Sequence, residues 1–399
     1  MVESQSDWSR GTEEFRRTDN SILDCSIPMI DLGMQYHQIR DEVKSAVCNV
    51  LSSQRFIYGP EVSELEREIS VYCQSAYGIA CASGSDAIYL ALLALGIGPG
   101  DNVICPSFTF FATAGSIVRT GATPVFVDID PFTYNLNSSM ITDAIGRCKN
   151  LKAIVVVHLF GRCAPMHELE VIANKLDVPL IEDAAQAIGS EDILSRRAGS
   201  IGLFGCFSFY PTKNLGGIGD GGMIVTNDTK FADKLRLLRE HGARVKYVHE
   251  LVGTNSRLDA IQAAVLRVKL HYLDGWIARR QYNANYYTKL FSNSSCIDKI
   301  SLPAFCNSRH VFNQYVIRVL GGRRDGLREH LKENNIGCEV YYPIPLHLQK
   351  CFVQLGYCSG QLPNSELAST EVLALPIYPE LSECQIGKIV NVVCDYFRL

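Results

Sequence analysis

The sequence predicts an α/β protein: a large domain on a mostly parallel, mixed sheet covered by helices, followed by a smaller C-terminal α/β domain. Three observations carry this. From about residue 60 to 230, apolar β-branched runs alternate with amphipathic stretches, the pattern of strands joined by helices. Several of those runs end in polar residues. After Lys269 the pattern changes to a long helical stretch, a Ser/Asn-rich linker and shorter elements.

In order, Val62, Leu65, Ile69 and Tyr72 fall on one helical face, and Ala87, Leu90, Ala91 and Ala94 do so in the next helix, which opens after Ser-Gly-Ser-Asp. Strands are expected at 103–105, 124–128, 153–157, 179–183, 206–208 and 223–226. A helix continues from Lys269 through Arg280 to the linker Ser292–Ser295. A strand at 316–319, a helix at 325–335, a strand at 338–341 and a closing helix carrying Ile386, Ile389, Val390 and Val393 complete the chain. The expected division is a polar tail over 1–25, a large domain over 26–270 and a small domain over 271–399. No internal repeat is visible.

Composition narrows the function. With 47% hydrophobic and 20% charged residues the chain builds a substantial core, and a net charge of −4 supplies no basic field for nucleic acid or an anionic membrane. Residues 1–25 lack the apolar core of a signal peptide, and no later segment reads as a spanning helix, so a cytoplasmic location is expected. The 15 cysteines are scattered singly, with no C-x-x-C pair and no Cys/His cluster at metal spacing. They read as small buried apolar residues, with no metal site and no disulfide framework.

Ligands of α/β folds gather at strand carboxyl ends, which makes Asp128, His158, Asp183 and Ser208 candidates. Lys213 lies between the aromatic strand Phe207-Ser-Phe-Tyr and the glycine-rich Gly216-Gly-Ile-Gly-Asp-Gly-Gly222. Partial desolvation there lowers a lysine's pKa and frees a neutral amine to attack an aldehyde and form a Schiff base. A lysine in a surface turn is the plainer alternative for the fragment alone. Asp183 ends the strand Ile181-Glu-Asp183. A carboxylate so placed keeps a pyridine nitrogen protonated, as pyridoxal chemistry needs, and Gln186 suits the ring's phenolic oxygen; a helix N-cap accounts for Asp183 equally well. Ser83-Gly84-Ser85-Asp86 opens a helix with free backbone N–H groups, an anion site suited to a phosphate or simply a capping motif. Ser208 is a second phosphate hydroxyl. Phe108 is placed either to stack on a ring or to fill the core.

Together these residues lie in segments that resemble the DegT/DnrJ/EryC1/StrS family of nucleotide-sugar aminotransferases, within the fold-type I pyridoxal-phosphate enzymes. The resemblance runs from about Ile30 to Phe397. It is most specific in Gly59-Pro-Glu-Val62, Pro106-Ser-Phe-Thr-Phe110, Glu182-Asp-Ala-Ala-Gln186, Ser208-Phe-Tyr-Pro-Thr-Lys-Asn-Leu-Gly216, Gly219-Asp-Gly-Gly222, Asn255-Ser-Arg-Leu-Asp259 and Tyr342-Pro-Ile-Pro345.

The resemblance implies pyridoxal 5'-phosphate linked to Lys213, a ring held by Asp183 and Gln186 with Phe108 over it, and a phosphate held by Gly84, Ser85 and Ser208. It implies that Asn255 reaches the cofactor phosphate of a partner subunit, hence a homodimer with shared sites. Arg257, Tyr341 and Tyr342 fall to the nucleotide-linked keto sugar, and L-glutamate is the implied amino donor. Lys246-Tyr247-Val-His249 resembles a segment of members that act at C-3 of the sugar, which favours a 3-keto over a 4-keto substrate. Amination of a keto-inositol and a non-enzymatic sensor remain as alternatives, whereas Lys213 argues against the dehydrating branch, whose members carry histidine there. Two departures stand out: an extra residue within Ser190–Arg197, expected to alter a surface turn, and Asn313 where histidine is frequent, expected near the substrate pocket.

Overall fold

A computed structural model describes residues 26–398, so the polar tail at 1–25 and residue 399 lie outside the described residues. Two helices, α1 (Leu32–Ser53) and α2 (Pro60–Tyr72), precede β1 (Tyr77–Cys81), α3 (Gly84–Ala94), β2 (Asn102–Pro106), α4 (Ala112–Arg119), β3 (Thr123–Val127) and α5 (Ser138–Ile145). The large domain continues with β4 (Leu151–Val157), α6 (Met166–Leu176), β5 (Leu180–Asp183), β6 (Phe204–Ser208), β7 (Gly222–Thr226) and α7 (Thr229–Leu238). A small hairpin, β8 (Ala243–Val245) and β9 (Val248–His249), leads to the long helix α8 (Ala260–Ser292). The small domain holds β10 (Ile300–Ser301), β11 (Tyr315–Val319), α9 (Arg324–Glu333), α10 (Pro363–Glu371), β12 (Val372–Leu375) and α11 (Glu383–Arg398).

The seven-stranded sheet has the order β1-β7-β6-β5-β4-β2-β3. Only β7 runs against the others, pairing antiparallel with both β1 and β6, so the sheet is mixed and mostly parallel. Its strands are buried on both faces, and their side chains alternate between two cores. Ile104, Val125, Ile154 and Val156 pack with α2, α6 and α8, while Val103, Cys105, Phe126 and Val155 pack with α3, α4 and α7. This is the period of two expected of strands beneath helices on either side. All six expected strands of this sheet form; β1, whose Tyr-Gly-Ile-Ala-Cys lacks a run of β-branched residues, was not anticipated.

Two expectations for the small domain need correction. Residues 338–341 form no strand, making a single bridge from Glu339 to Ala374. β11 is the central strand, and beside β10 it pairs instead with β12, antiparallel through Tyr315↔Leu375 to Arg318↔Val372. The Val-Leu-Ala-Leu of β12 is buried throughout, and a short apolar run without alternation looks the same as a helical segment in sequence. The division at residue 270 also falls inside α8, one continuous helix of 33 residues. Leu266, Leu273 and Ile277 of α8 pack under the large sheet, while Ala284, Tyr287 and Phe291 belong to the small-domain core. Ile27 joins that core too: its N–H donates to the Asn335 carbonyl at 2.9 Å and its carbonyl accepts from Gly337 at 2.7 Å.

Among the described residues every cysteine is free, no cluster could hold a metal ion, and no helix is long and apolar enough to cross a membrane. α8 is therefore the spine joining two cores. Leu273→Ala, which opens a cavity at a fully buried position of that spine, is expected to cost about 2–5 kcal/mol. Urea denaturation measures this; a loss under about 1 kcal/mol would mean that α8 does not carry the shared load.

Candidate active site

The carboxyl ends of β5 and β6 and the N-terminus of α3 surround a cavity of about 510 Å³. Asp183, the last residue of β5, stands at its floor, almost wholly buried. The Thr113 hydroxyl donates to its Oδ2 at 2.7 Å and the Ala185 N–H to its Oδ1 at 3.2 Å. Burial raises its pKa, and those hydrogen bonds together with the Lys213 charge pull it back.

Lys213 lies in the turn after β6 and lines the same cavity. That turn is held from several sides. The Lys213 N–H donates to Tyr210 at 2.9 Å and Gly217 to Phe209 at 2.8 Å. The buried Lys269 of α8 donates from Nζ to the Gly216 carbonyl at 2.7 Å, and Asn214 Nδ2 donates to Val311 at 3.0 Å. Burial lowers the Lys213 pKa to about 8, against the opposing pull of Asp183. The amine is thus mostly protonated near neutral pH but has a far larger neutral fraction than an ordinary lysine.

Facing the lysine, α3 presents its first turn. Ser83 caps it, with Oγ accepting from the Asp86 N–H at 3.1 Å and its carbonyl from Ala87 at 2.9 Å; Gly84 and Ser85 line the cavity. Ser208 closes the other side so tightly that a Cβ on Gly84 would meet the Ser208 Cβ at 2.6 Å. Gly222 of β7 packs directly on the Ser83 backbone in the same way. Two glycines therefore allow a helix N-terminus and a strand-end hydroxyl to converge. The donor set of backbone N–H groups and the Ser85 and Ser208 hydroxyls fits a phosphate.

Gln186 spans to the small domain, its Oε1 accepting from the Phe160 N–H at 2.7 Å and its Nε2 donating to the Tyr342 hydroxyl at 3.1 Å. Tyr341 and Tyr342 line the cavity as well. Gly84, Ser85, Asp183, Gln186, Ser208, Lys213, Tyr341 and Tyr342, all singled out in sequence, thus meet in one cavity.

Others do not. Phe108 does not border the cavity. It is 1% exposed and packs on Tyr134 and Tyr342, with ring centroids 6.1 and 6.0 Å away. Phe110, 56% exposed, lines the cavity in its place, because the chain bends immediately after β2 and strand alternation no longer decides which ring points in. Asp128 accepts hydrogen bonds from Asn364 and Ser365 at the start of α10. His158 is sealed in the core against Glu182, 2.7 Å away. Asn313 is buried beneath the wall and donates to Asn214 Oδ1 at 3.0 Å; its neighbour Gln314 lines the cavity. The Ser190–Arg197 segment is a surface turn closed by Asp192, which accepts from the N–H groups of Leu194 and Arg196 at 2.9 Å each.

Asn255 and Arg257 lie outside the cavity of their own chain. Asn255 is exposed beside Glu240, and Arg257 Nη1 donates to Glu240 Oε1 at 2.9 Å. Thr113, Thr109 and Asp220 were missed. Thr113 sits in the first turn of α4 and meets Asp183 across 70 residues of sequence, a pairing that no local pattern announces.

A lysine with a lowered pKa, a carboxylate beneath it and an anion cradle, all at the carboxyl edge of a mostly parallel sheet, define the fold-type I class of pyridoxal-phosphate enzymes. Residues 37–394 match the DegT/DnrJ/EryC1/StrS aminotransferase family, and the chain belongs to it. It is 47% identical to the pleiotropic regulatory protein of Geobacillus stearothermophilus over 94% of this chain and 99% of that protein. It is 42% identical to the UDP-N-acetyl-3-dehydro-alpha-D-glucosamine 3-aminotransferase of Acidithiobacillus ferrooxidans over 92% and 97% of the two chains. The crystal structure of S. venezuelae DesV in complex with a ketimine intermediate superposes with a TM-score of 0.88 at 39% identity, covering 93% of this chain and 98% of DesV.

The Lys213 pKa sets a pH profile. In cofactor-free protein, capture of an aldehyde needs the neutral amine, so its rate should rise with pH and level off above about 8, where an ordinary lysine would keep gaining toward 10.5. Borohydride trapping followed by peptide mass spectrometry reads this at Lys213. A profile still climbing past pH 10 (about the ordinary lysine value) would contradict the assigned environment.

Proposed function

We propose that this protein transfers an amino group from L-glutamate to a nucleotide-linked 3-keto sugar, with pyridoxal phosphate held in the cavity around Lys213. The observation that carries the reading is the convergence of Lys213, Asp183, Ser208 and the α3 N-terminus on one cavity. The cofactor would supply an aldehyde for amine exchange and a ring that accepts the electron pair released when a carbon–hydrogen bond breaks.

The chain's own residues do the rest. Lys213 Nζ would be the point that holds the cofactor and, when free, the base that moves a proton; a pKa near 8 suits it to both tasks. Asp183 would keep the ring nitrogen protonated. Gln186, with one amide hydrogen left after its bond to Tyr342, would be free to donate to the phenolic oxygen. Gly84, Ser85 and Ser208 would hold the phosphate, and Phe110 would take the stacking role first expected of Phe108.

A homodimer belongs to this reading. Lys213 is the one cation among the cavity-lining residues, beside Asp183 and Asp220, yet the proposed ligands carry a phosphate and a diphosphate. Further donors must come from elsewhere. Asn255 and Arg257 suit that task from a second copy, since an arginine fork matches a diphosphate. Exposed Ile57, Tyr58, Ile218 and Val252 flank them and supply apolar surface for such an interface. The choice of a 3-keto sugar rests on the Lys246-Tyr247-Val-His249 segment and on the 3-aminotransferase relative. The name of the Geobacillus relative favours a second reading, a regulator that keeps the cofactor without turnover.

The absorbance band of the cofactor-loaded protein should bleach when L-glutamate is added and return with a 3-keto nucleotide sugar; a band indifferent to glutamate would favour the regulator. Lys213→Ala should abolish multiple turnover while the protein stays folded, because a cavity-wall lysine contributes little packing. For the dimer, mixing inactive Lys213→Ala and Asn255→Ala chains should restore about a quarter of wild-type activity, since half of the dimers are hybrids and each hybrid has one intact site. No recovery after verified subunit exchange would place Asn255 outside a shared site.

A further inference from the structure

Gln314 immediately precedes β11 and forms part of the cavity wall with Tyr341 and Tyr342. It also borders a recess of about 20 Å³ shared with Phe160, Arg162 and His310. Its backbone is tied down: the N–H donates to the Phe160 carbonyl at 3.4 Å. The preceding residue, Asn313, is locked to Asn214 next to Lys213. The position of Gln314 is therefore set from the reactive turn itself.

Its side chain is unpaired. Oε1 is sealed from solvent with no hydrogen-bond partner, and no other bond to the carboxamide exists among the described residues. The other amide of this wall, Gln186, has partners on both of its polar atoms. The residue is only half-buried, but an amide oxygen sealed from water without a partner is costly, and such groups are typically completed by a ligand or by ordered water.

We infer that Gln314 is a specificity residue whose carboxamide hydrogen-bonds a hydroxyl of the sugar on the acceptor substrate. This rests on the nucleotide-sugar reading and deepens it. A neutral amide matches a neutral hydroxyl, which both donates and accepts and so pairs with either end of the carboxamide. The carboxylate of an amino-acid donor is better held by a cation. Gln314 lines the cavity together with Tyr341 and Tyr342, the residues that the nucleotide-sugar reading gives to the acceptor. A site built to pair with a hydroxyl also rejects analogues that lack it, because the amide is then stranded.

The test compares wild type, Gln314→Leu and Gln314→Glu, each loaded with pyridoxamine phosphate. Calorimetry measures binding of UDP-glucose and dTDP-glucose against UDP and dTDP alone, so that the sugar's share of the affinity is isolated. In the wild type the sugar should tighten binding. The leucine variant should lose about tenfold of that gain, equivalent to about 1.4 kcal/mol. The glutamate variant, whose carboxylate still accepts from a hydroxyl, should keep more of the gain than leucine does. In single-turnover kinetics, the larger loss should fall on the sugar half-reaction rather than the glutamate half-reaction. An unchanged sugar contribution in Gln314→Leu, or a larger loss on the glutamate side, overturns the assignment while leaving the nucleotide-sugar reading in place. Wild-type protein that binds neither sugar nucleotide more tightly than its nucleotide overturns both.

Discussion

The burial of Asp183 at the end of β5 is the constraint around which the site is arranged. A carboxylate with both faces of the sheet covered has little water to solvate it, so its charge must be met by fixed partners. Thr113 and the Ala185 N–H meet part of it, and the remainder falls to whatever cation the cavity offers. Lys213 is that cation, and the same burial that raises the Asp183 pKa lowers that of the lysine to about 8. Each of the two groups limits the other. The acid–base character of the pocket follows from a shared low-polarity environment rather than from either residue alone.

Holding those groups in place requires close approaches that only particular residues permit. Gly84 and Gly222 let the first turn of α3 settle against Ser208 and β7, which turns a common capping motif into an anion cradle. The turn bearing Lys213 is held from beneath by Lys269 of α8 and from the side by the Val311 carbonyl. Val311 packs in the same core beneath the large sheet as Leu266 and Leu273 of α8, so both anchors act from that side. The loop that follows Tyr342 is fastened as well: His347 hydrogen-bonds Ser107 just after β2, 2.6 Å away, and Glu366, 3.2 Å away. The small domain thereby supplies one wall of a cavity whose floor belongs to the large one.

Much of the large domain was legible in sequence because most of its strands are short apolar runs bounded by turns and ending near a polar residue. The small domain was less so. β12 is uniformly apolar and short, and residues 338–341 carry strand-like composition but meet their neighbour at one bridge only. In the site, Phe108 and Phe110 have similar local sequence and opposite fates, since a bend after β2 sends one ring into the core and the other into the cavity. Asp128 and His158 had the same strand-end credentials as Asp183, yet one caps α10 and the other pairs with Glu182.

By itself the sequence determined the α/β class, the family, and most of the polar groups that line the cavity, because these depend on periodicity and on short motifs whose chemistry is local. Tertiary structure alone decided which aromatic ring faces the cavity, that Thr113 supports Asp183, that α8 serves two cores and that Gln314 stands unpaired in the wall. Each of these is a contact between segments distant in sequence, and burial, which sets the lysine's pKa and the cost of an unpaired amide, exists only once those segments have closed around it.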